Sequence, residues 1–279
     1  MPESTDAKHR AAVPPQALDC QRVGIAEVSG PDPRIPQRPT IVCMKWGTQY
    51  GPEYVNRLYG MAARRTKRPF RLVCLTDDET GLRPEVERHP IPTIPLPQKG
   101  YRQSWRKLAM FSPEIARVLG DEVLFLDLDI IIVDRLDGFF DHPGDFLIIR
   151  DWYHPFSRIG NSSVCRFRPS RSIDVFEEYC RDYKLIAKRF RNEREYLSWY
   201  LGYFGALEFW PQGWCASFKR DCIPRWPWNH WRTPRVPSGS RIVVFHGYPK
   251  PSDACNGSTA KKRRCTHLPA SWVCEHWRE

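Results

Sequence analysis

The stretch that most limits what this chain can fold into is VLFLDLDIII, residues 123 to 132, where two aspartates interrupt a run of large apolar side chains. A run this apolar reads as a strand buried on both faces, the kind found at the centre of a parallel sheet. Ionised carboxylates are costly in such surroundings unless a cation or strong donors answer them. In a strand, residues i and i+2 share a face, so Asp127 and Asp129 would project together, with Leu126 and Leu128 on the other side. A hard divalent cation, Mg²⁺ or Mn²⁺, would remove the repulsion between them. Alternatively the strand ends near Leu126, and both acids are solvated loop residues or helix caps.

The flanking sequence gives the strand its neighbours. TIVCMKW, from Thr40, suits a buried strand, and Pro52 to Arg65 places Tyr54, Val55, Leu58, Tyr59, Met61 and Ala62 at helical spacing. FRLVCLTDD is a second strand that ends in acids. The proline-punctuated IPTIPLP follows, then a helix through WRKLAMF and PEIARVLG, then VLFLDLDIII as the third strand. DFLIIRDW and SSVCRF are further strand candidates, residues 172 to 204 read as mostly helical, and RIVVFHG is a last apolar strand ending on His246. This order predicts an α/β fold, a single Rossmann-like domain with a mostly parallel central sheet flanked by helices, which binds ligands at the carboxyl ends of its strands. The LTDD and LDLD ends then share one rim.

FHGYPKP adds to that rim. A lone histidine at a strand end is commonly a hydrogen-bonded core residue. Beside an Asp-x-Asp it completes a set of two carboxylates and one imidazole suited to a metal. Gly247 lets a ligand approach the backbone closely, and Lys250 is a point charge suited to phosphate.

Bulk composition is compatible with this. The chain has 279 residues, 41% of them hydrophobic, enough for one sizeable core. Its net charge of +11 favours phosphate-bearing partners, which include nucleotide-linked small molecules, nucleic acid and anionic lipid surfaces. Residues 1–39 hold seven prolines and no aromatic residue and read as a flexible or loosely docked arm; residues 40–250 form the domain, and 251–279 a basic Cys/His-containing extension docked on it. No apolar segment suggests a leader or a membrane span, so a cytoplasmic protein with reduced thiols is expected. The tail donors Cys255, Cys265, His267, Cys274 and His276 lack the close Cys pair of common zinc modules.

VLFLDLDIII, FHGYPKP and the KWG of the entry strand together resemble bacterial glycosyltransferases of the nucleotide-diphospho-sugar transferase (GT-A) fold, similar to the glycogenin and lipopolysaccharide galactosyltransferase group, over roughly residues 40 to 250. The resemblance implies that Asp127 and Asp129 are the metal-binding DxD motif, with Asp127 also near the donor ribose, and that His246 completes the metal site. It further implies that Gly247 and Lys250 hold the diphosphate. In WRKL, Lys107 replaces an arginine near the donor; GNSSV stands for an asparagine-alanine-glycine turn and nominates Asn161 and Ser162; EREYLS nominates Glu193 and Glu195 near the sugar. Lys45 and Trp46 of KWG, with Thr76 and Asp77 of LTDD, join the donor-binding candidates.

The expected activity is metal-dependent hexosyl transfer, retaining in outcome, from a nucleoside-diphosphate sugar to a saccharide or glycolipid acceptor in envelope polysaccharide synthesis, with peripheral contact at the inner membrane face. Three departures bear on donor sugar and stereochemistry: Arg194 where the group has glutamine, no tryptophan after Lys250-Pro251, and a lysine that cannot make a guanidinium's bidentate contact.

Two other readings fit some of these features. A haloacid-dehalogenase-like phosphatase also carries an apolar-strand DxD, but Ile131 stands where that family asks for Thr or Val. A basic nucleic-acid-binding protein fits the charge, although no recognised nucleic-acid motif is present and no such partner is expected. The segment from Phe209 to Trp231 contains five tryptophans, Trp210, Trp214, Trp226, Trp228 and Trp231. These suit an acceptor platform or, preferably, a compact loop packed by its own aromatics with one or two rings exposed.

Overall fold

Side chains of the first strand alternate between two apolar clusters, which sets up two layers around a sheet. A computed structural model describes residues 38–98, 103–154, 156–259 and 266–279. Residues 1–37 of the proline-rich arm, the Lys261–Arg264 run and Cys265 lie outside the described residues. Strand β1 (Thr40–Lys45) is buried throughout, with Ile41 and Cys43 in one apolar cluster and Val42 and Met44 in another on the opposite face. Helix α1 (Pro52–Arg65) covers the first face through Tyr54, Val55, Leu58, Met61 and Ala62. Pro52 at its start, Glu53 in its first turn and Arg64 and Arg65 in its last suit the helix dipole. Strands β2 (Arg71–Thr76) and β3 (Val86–Pro90) extend the sheet in parallel.

On the other face, a 3-10 helix (Ser104–Phe111) and α2 (Pro113–Leu119) replace the single expected helix. Ser112 separates them: the following proline disfavours helical backbone there, and its Oγ accepts from Ile115 N at 3.3 Å to cap α2.

The expected third strand is in fact two. β4 (Val123–Leu126) lies beside β1, whereas β5 (Ile130–Ile132) leaves for a separate sheet. Asp127, Leu128 and Asp129 form the crossing, so the two acids meet through a loop and not through period-two alternation. The handover is visible in the backbone: Asp127 N donates to Ser163 O at 2.9 Å in the first sheet, and Asp129 O accepts from Phe245 N at 2.9 Å beside the second. Both halves are apolar because each is buried in its own sheet.

After β5 come α3 (Asp137–Asp141), β6 (Phe146–Arg150), β7 (Gly160–Phe167), α4 (Ile173–Arg189), α5 (Glu193–Tyr203), β8 (Leu207–Phe209), β9 (Cys215–Ser217), β10 (Ile242–Val244), α6 (Pro251–Asn256) and α7 (Ser271–His276). The seven-stranded sheet has the order β3-β2-β1-β4-β7-β6-β8 and is mostly parallel, β7 alone running against both its neighbours. The smaller sheet is β5-β10-β9. Since β7 is antiparallel to β4, its beginning lies at the same rim as the end of β4.

Side-by-side packing of α6 and α7 brings Cys255 and Cys274 to 5.6 Å between Cα atoms, and they form a disulfide. This corrects the expectation of reduced thiols throughout; the other described cysteines are free. Trp277, just past α7, packs edge-on against Tyr54 of α1. No helix among the described residues is long and apolar enough to cross a membrane.

Candidate active site

The rim at the carboxyl ends of β1, β2 and β4 gathers the acids and the cations that answer them. Lys107, in the 3-10 helix, places Nζ 2.7 Å from Asp127 Oδ1 and 2.8 Å from Oδ2. Burial works against its ammonium, yet Asp127, Glu193 and Asp129 together hold its pKa above the ordinary lysine value. Lys250 meets Asp129 Oδ2 at 2.7 Å and also contacts the Tyr50 hydroxyl, which itself donates to Asp129 Oδ2 at 2.9 Å. Each acid therefore has its own lysine.

Those lysines do not fully compensate. Burial and the charge of Asp127 push the Asp129 carboxyl above the usual carboxylate range in spite of Lys250 and Tyr50. A further cation would be accommodated, and two carboxylates on a crossing loop are hard oxygen donors of the type that binds Mg²⁺ or Mn²⁺. Among the described residues no three His, Cys, Asp or Glu side chains are grouped ready for a metal. The donor chemistry fits such an ion through Asp127 and Asp129, with Lys250 free to leave on its flexible stem.

His246, next to the Phe245 amide that donates to Asp129 O, has partners of its own. Its Nε2 is 2.7 Å from Ser217 Oγ, and its ring stacks on Trp152. Burial lowers its pKa to about 4, helped by Lys219, Arg194 and Arg220, so the imidazole is neutral at pH 7. The folded value lies below the unfolded one of 6.5, so this group's contribution is present above pH 6.5 and is lost as pH falls toward 4. Urea denaturation at pH 7 and pH 5 should register a loss of about 2 kcal/mol from this group, and His246→Gln should remove that part of the slope.

Helix α5 begins at the rim because Asn192 caps it, accepting from Glu195 N at 3.2 Å. Glu193 is buried and accepts from Ser162 Oγ at 2.8 Å through Oε1, while its buried Oε2 has no hydrogen-bond partner among the described residues. Asn161 turns inward and accepts from Ser163 N at 2.9 Å. Glu193, Ser162, Asn161, Lys107 and the acid pair are thus brought together. Glu195 is not; both its oxygens are held by Arg191.

The donor-binding candidates of β1 and β2 shape the rim itself. Lys45 is buried with Nζ on Asp78 O at 2.9 Å, Thr76 Oγ1 also donates to Asp78 O, and Asp77 accepts from Gly47 N at 3.0 Å. Trp46 packs against the apolar cluster under the 3-10 helix. Gly247, with φ +77°, turns the chain between His246 and Lys250 where a side chain would be strained.

Sequence reasoning missed Tyr50, an aromatic in an irregular loop with no periodic signal. It also missed Asp151, buried and ion-paired to Arg194 at 3.3 Å with Oδ2 lacking a hydrogen bond. Asp151 closes the apolar run FLIIR, the same signal that picked out Asp127. In the tail, Cys255 and Cys274 are bonded to each other and His276 Nδ1 lies 3.2 Å from Arg65 Nη2, so these zinc donors do not converge.

No protein-family profile and no curated protein sequence matches the chain. Solved structures do match its fold. The bifunctional glycosyltransferase WbbM superposes with a TM-score of 0.54 at 12% identity over 80% of this chain and 48% of that one. An active-site mutant of LgtC gives 0.54 at 12% identity, covering 85% of this chain and 94% of that chain. The galactosyltransferase LgtC in complex with donor and acceptor sugar analogs gives 0.52, with the same identity and coverage. The chain thus spans about half the length of WbbM and nearly all of LgtC. With its seven-stranded α/β sheet, this chain has a GT-A-type fold similar to that of bacterial glycosyltransferases.

Proposed function

We propose that this protein transfers a sugar from a nucleoside-diphosphate donor to a saccharide or glycolipid acceptor. The observation that most supports this reading is the rim cluster, in which two carboxylates and two lysines stand together at the strand ends where α/β folds bind ligands. A nucleoside diphosphate leaves a sugar only if its departing charge is stabilised, and a cationic, partly desolvated site does so.

Asp127 and Asp129 would hold Mn²⁺ or Mg²⁺, which when bound supplies Lewis-acid stabilisation of the phosphate charge. Lys250, released from Asp129, turns to the diphosphate beside Gly247. Lys107 stays with Asp127 and answers its charge. The partnerless Glu193 Oε2 accepts a hydroxyl of the donor sugar, oriented by Ser162, with Asn161 beside it. Lys45, Trp46, Thr76 and Asp77 shape the wall for the nucleoside. His246, neutral and set against Trp152, borders the sugar side of the cleft, and Glu195 acts through α5. Retention of configuration, a cell-envelope acceptor and a cytoplasmic location belong to the same proposal.

Calorimetric titration with UDP and GDP tests it. One of them should bind, and Mn²⁺ should tighten binding by about tenfold or more, equivalent to about 1.4 kcal/mol. Absence of binding by either nucleotide with Mn²⁺ present would overturn the assignment.

A further inference from the structure

The loop between β9 and β10 is inverted relative to an ordinary packed loop. Its amide residue Asn229 is 1% exposed, with Nδ2 donating to Thr266 O at 2.9 Å, whereas Trp226, Trp228 and Trp231 are 57%, 53% and 69% exposed. Three of the five clustered tryptophans therefore face solvent, more than the compact-loop expectation allowed; Trp210 is buried and Trp214 half-buried. The rings are not carried on a loose segment. Arg235 N donates to Cys222 O at 3.0 Å across the loop base, and Trp272 Nε1 donates to Pro234 O at 3.0 Å.

Charge on this loop has one sign. Arg225, Arg232 and Arg235 are exposed, as is His230, and no Asp or Glu occurs between Cys222 and Ser252. The Arg232 guanidinium sits over the Trp228 ring at 4.8 Å, pairing cation and indole at one surface. A saccharide platform would set amides and carboxylates around the rings to take up hydroxyls. Here the amide is turned inward and the loop's own sequence carries no carboxylate.

We propose that the Trp226–Trp231 loop docks on an anionic lipid surface. Indole rings favour the boundary between headgroups and acyl chains, where the ring is desolvated and its N–H stays wet. Arginines beside them are drawn to lipid phosphates, each basic residue near the surface adding to the attraction. The loop supplies both, pre-ordered by its buried asparagine. This assignment stands apart from the sugar-transfer reading.

Co-sedimentation with phosphatidylcholine vesicles, with and without phosphatidylglycerol, tests it on the full chain. The anionic lipid should raise partitioning by about a hundredfold for three arginines. Arg225→Gln, Arg232→Gln and Arg235→Gln together should remove that gain, and Trp226→Ala, Trp228→Ala and Trp231→Ala together should abolish binding. Should the triple tryptophan variant fold poorly, Trp231→Ser, at the most exposed ring, should weaken binding at an unchanged melting temperature. Brominated lipids should quench tryptophan emission in the parent and not in the triple variant. Equal partitioning of the parent to both vesicle types, an anionic gain that survives the arginine substitutions, binding that survives the tryptophan substitutions, or quenching by neutral oligosaccharides in place of lipid would overturn the proposal. UDP and GDP titrations of the same variants should match the parent, so a failure here is separable from a failure of the transferase assignment.

Discussion

Lys107→Ala should lower stability by about 3–5 kcal/mol, the usual cost of removing one partner from a buried ion pair. The Lys107 side chain is only 13% exposed, and its ammonium is shared electrostatically by Asp127, Glu193 and Asp129. Without it, carboxylates crowd together in a low-dielectric rim whose other lysine, Lys250, lies on Asp129. Urea denaturation at pH 7 should show the drop. The deficit should narrow as pH falls into the carboxylate range, since protonation removes the uncompensated charge. Lys107→Arg, which keeps the cation, should unfold close to the parent. An alanine variant with a parental midpoint would mean the rim charges are solvated after all.

Asp129→Asn should have the opposite profile, a large functional loss at little cost in stability. Burial and Asp127 already push this carboxyl toward its neutral form, so an uncharged isostere relieves repulsion while Lys250, 23% exposed, can turn to water. The melting temperature should hold within a few degrees, about 1 kcal/mol. Nucleotide binding should no longer respond to Mn²⁺, and donor turnover should fall by roughly two to three powers of ten, the scale lost with a principal charge-stabilising group. Retained Mn²⁺ dependence in this variant would remove Asp129 from the donor site. Comparing Lys107 and Asp129 separates structural from functional charge within one cluster.

Much of the scaffold was legible because it rests on periodicity. TIVCMK, RLVCLT, VLFL and SSVCRF lie in buried strands, although Gly160 and Asn161, read as part of a turn, extend the last of these, and the α1 stripe from Tyr54 to Ala62 is a helix face. Other features were not legible, because no local signal encodes them. Nothing in DLDIII says that its last three residues pair with β10 in another sheet, since apolar β-branched residues satisfy either sheet equally. The spacing of nineteen residues between Cys255 and Cys274 gives no hint that α6 and α7 lie together. Within the site, acids that end apolar runs were visible, but their partners were not: Tyr50 and Arg194 reach Asp129 and Asp151 through tertiary contacts across many residues. Lys107 was placed by its motif, yet its contact with Asp127 needed the fold. The outward turn of the tryptophans goes with one buried asparagine between them, an arrangement that composition cannot reveal.

The crossing loop has a mechanical implication. Asp127 is fastened to the large sheet through Ser163, and Asp129 to the small sheet through Phe245. The distance between the two carboxylates is therefore a gauge of how the sheets sit on one another, read out at a seam three residues long. Packing at that seam includes the Phe218–Phe245 stack at 4.4 Å and the Ile132 amide against the Met61 sulfur at 3.4 Å. A change of one methylene there would alter the spacing of the acids without touching either of them.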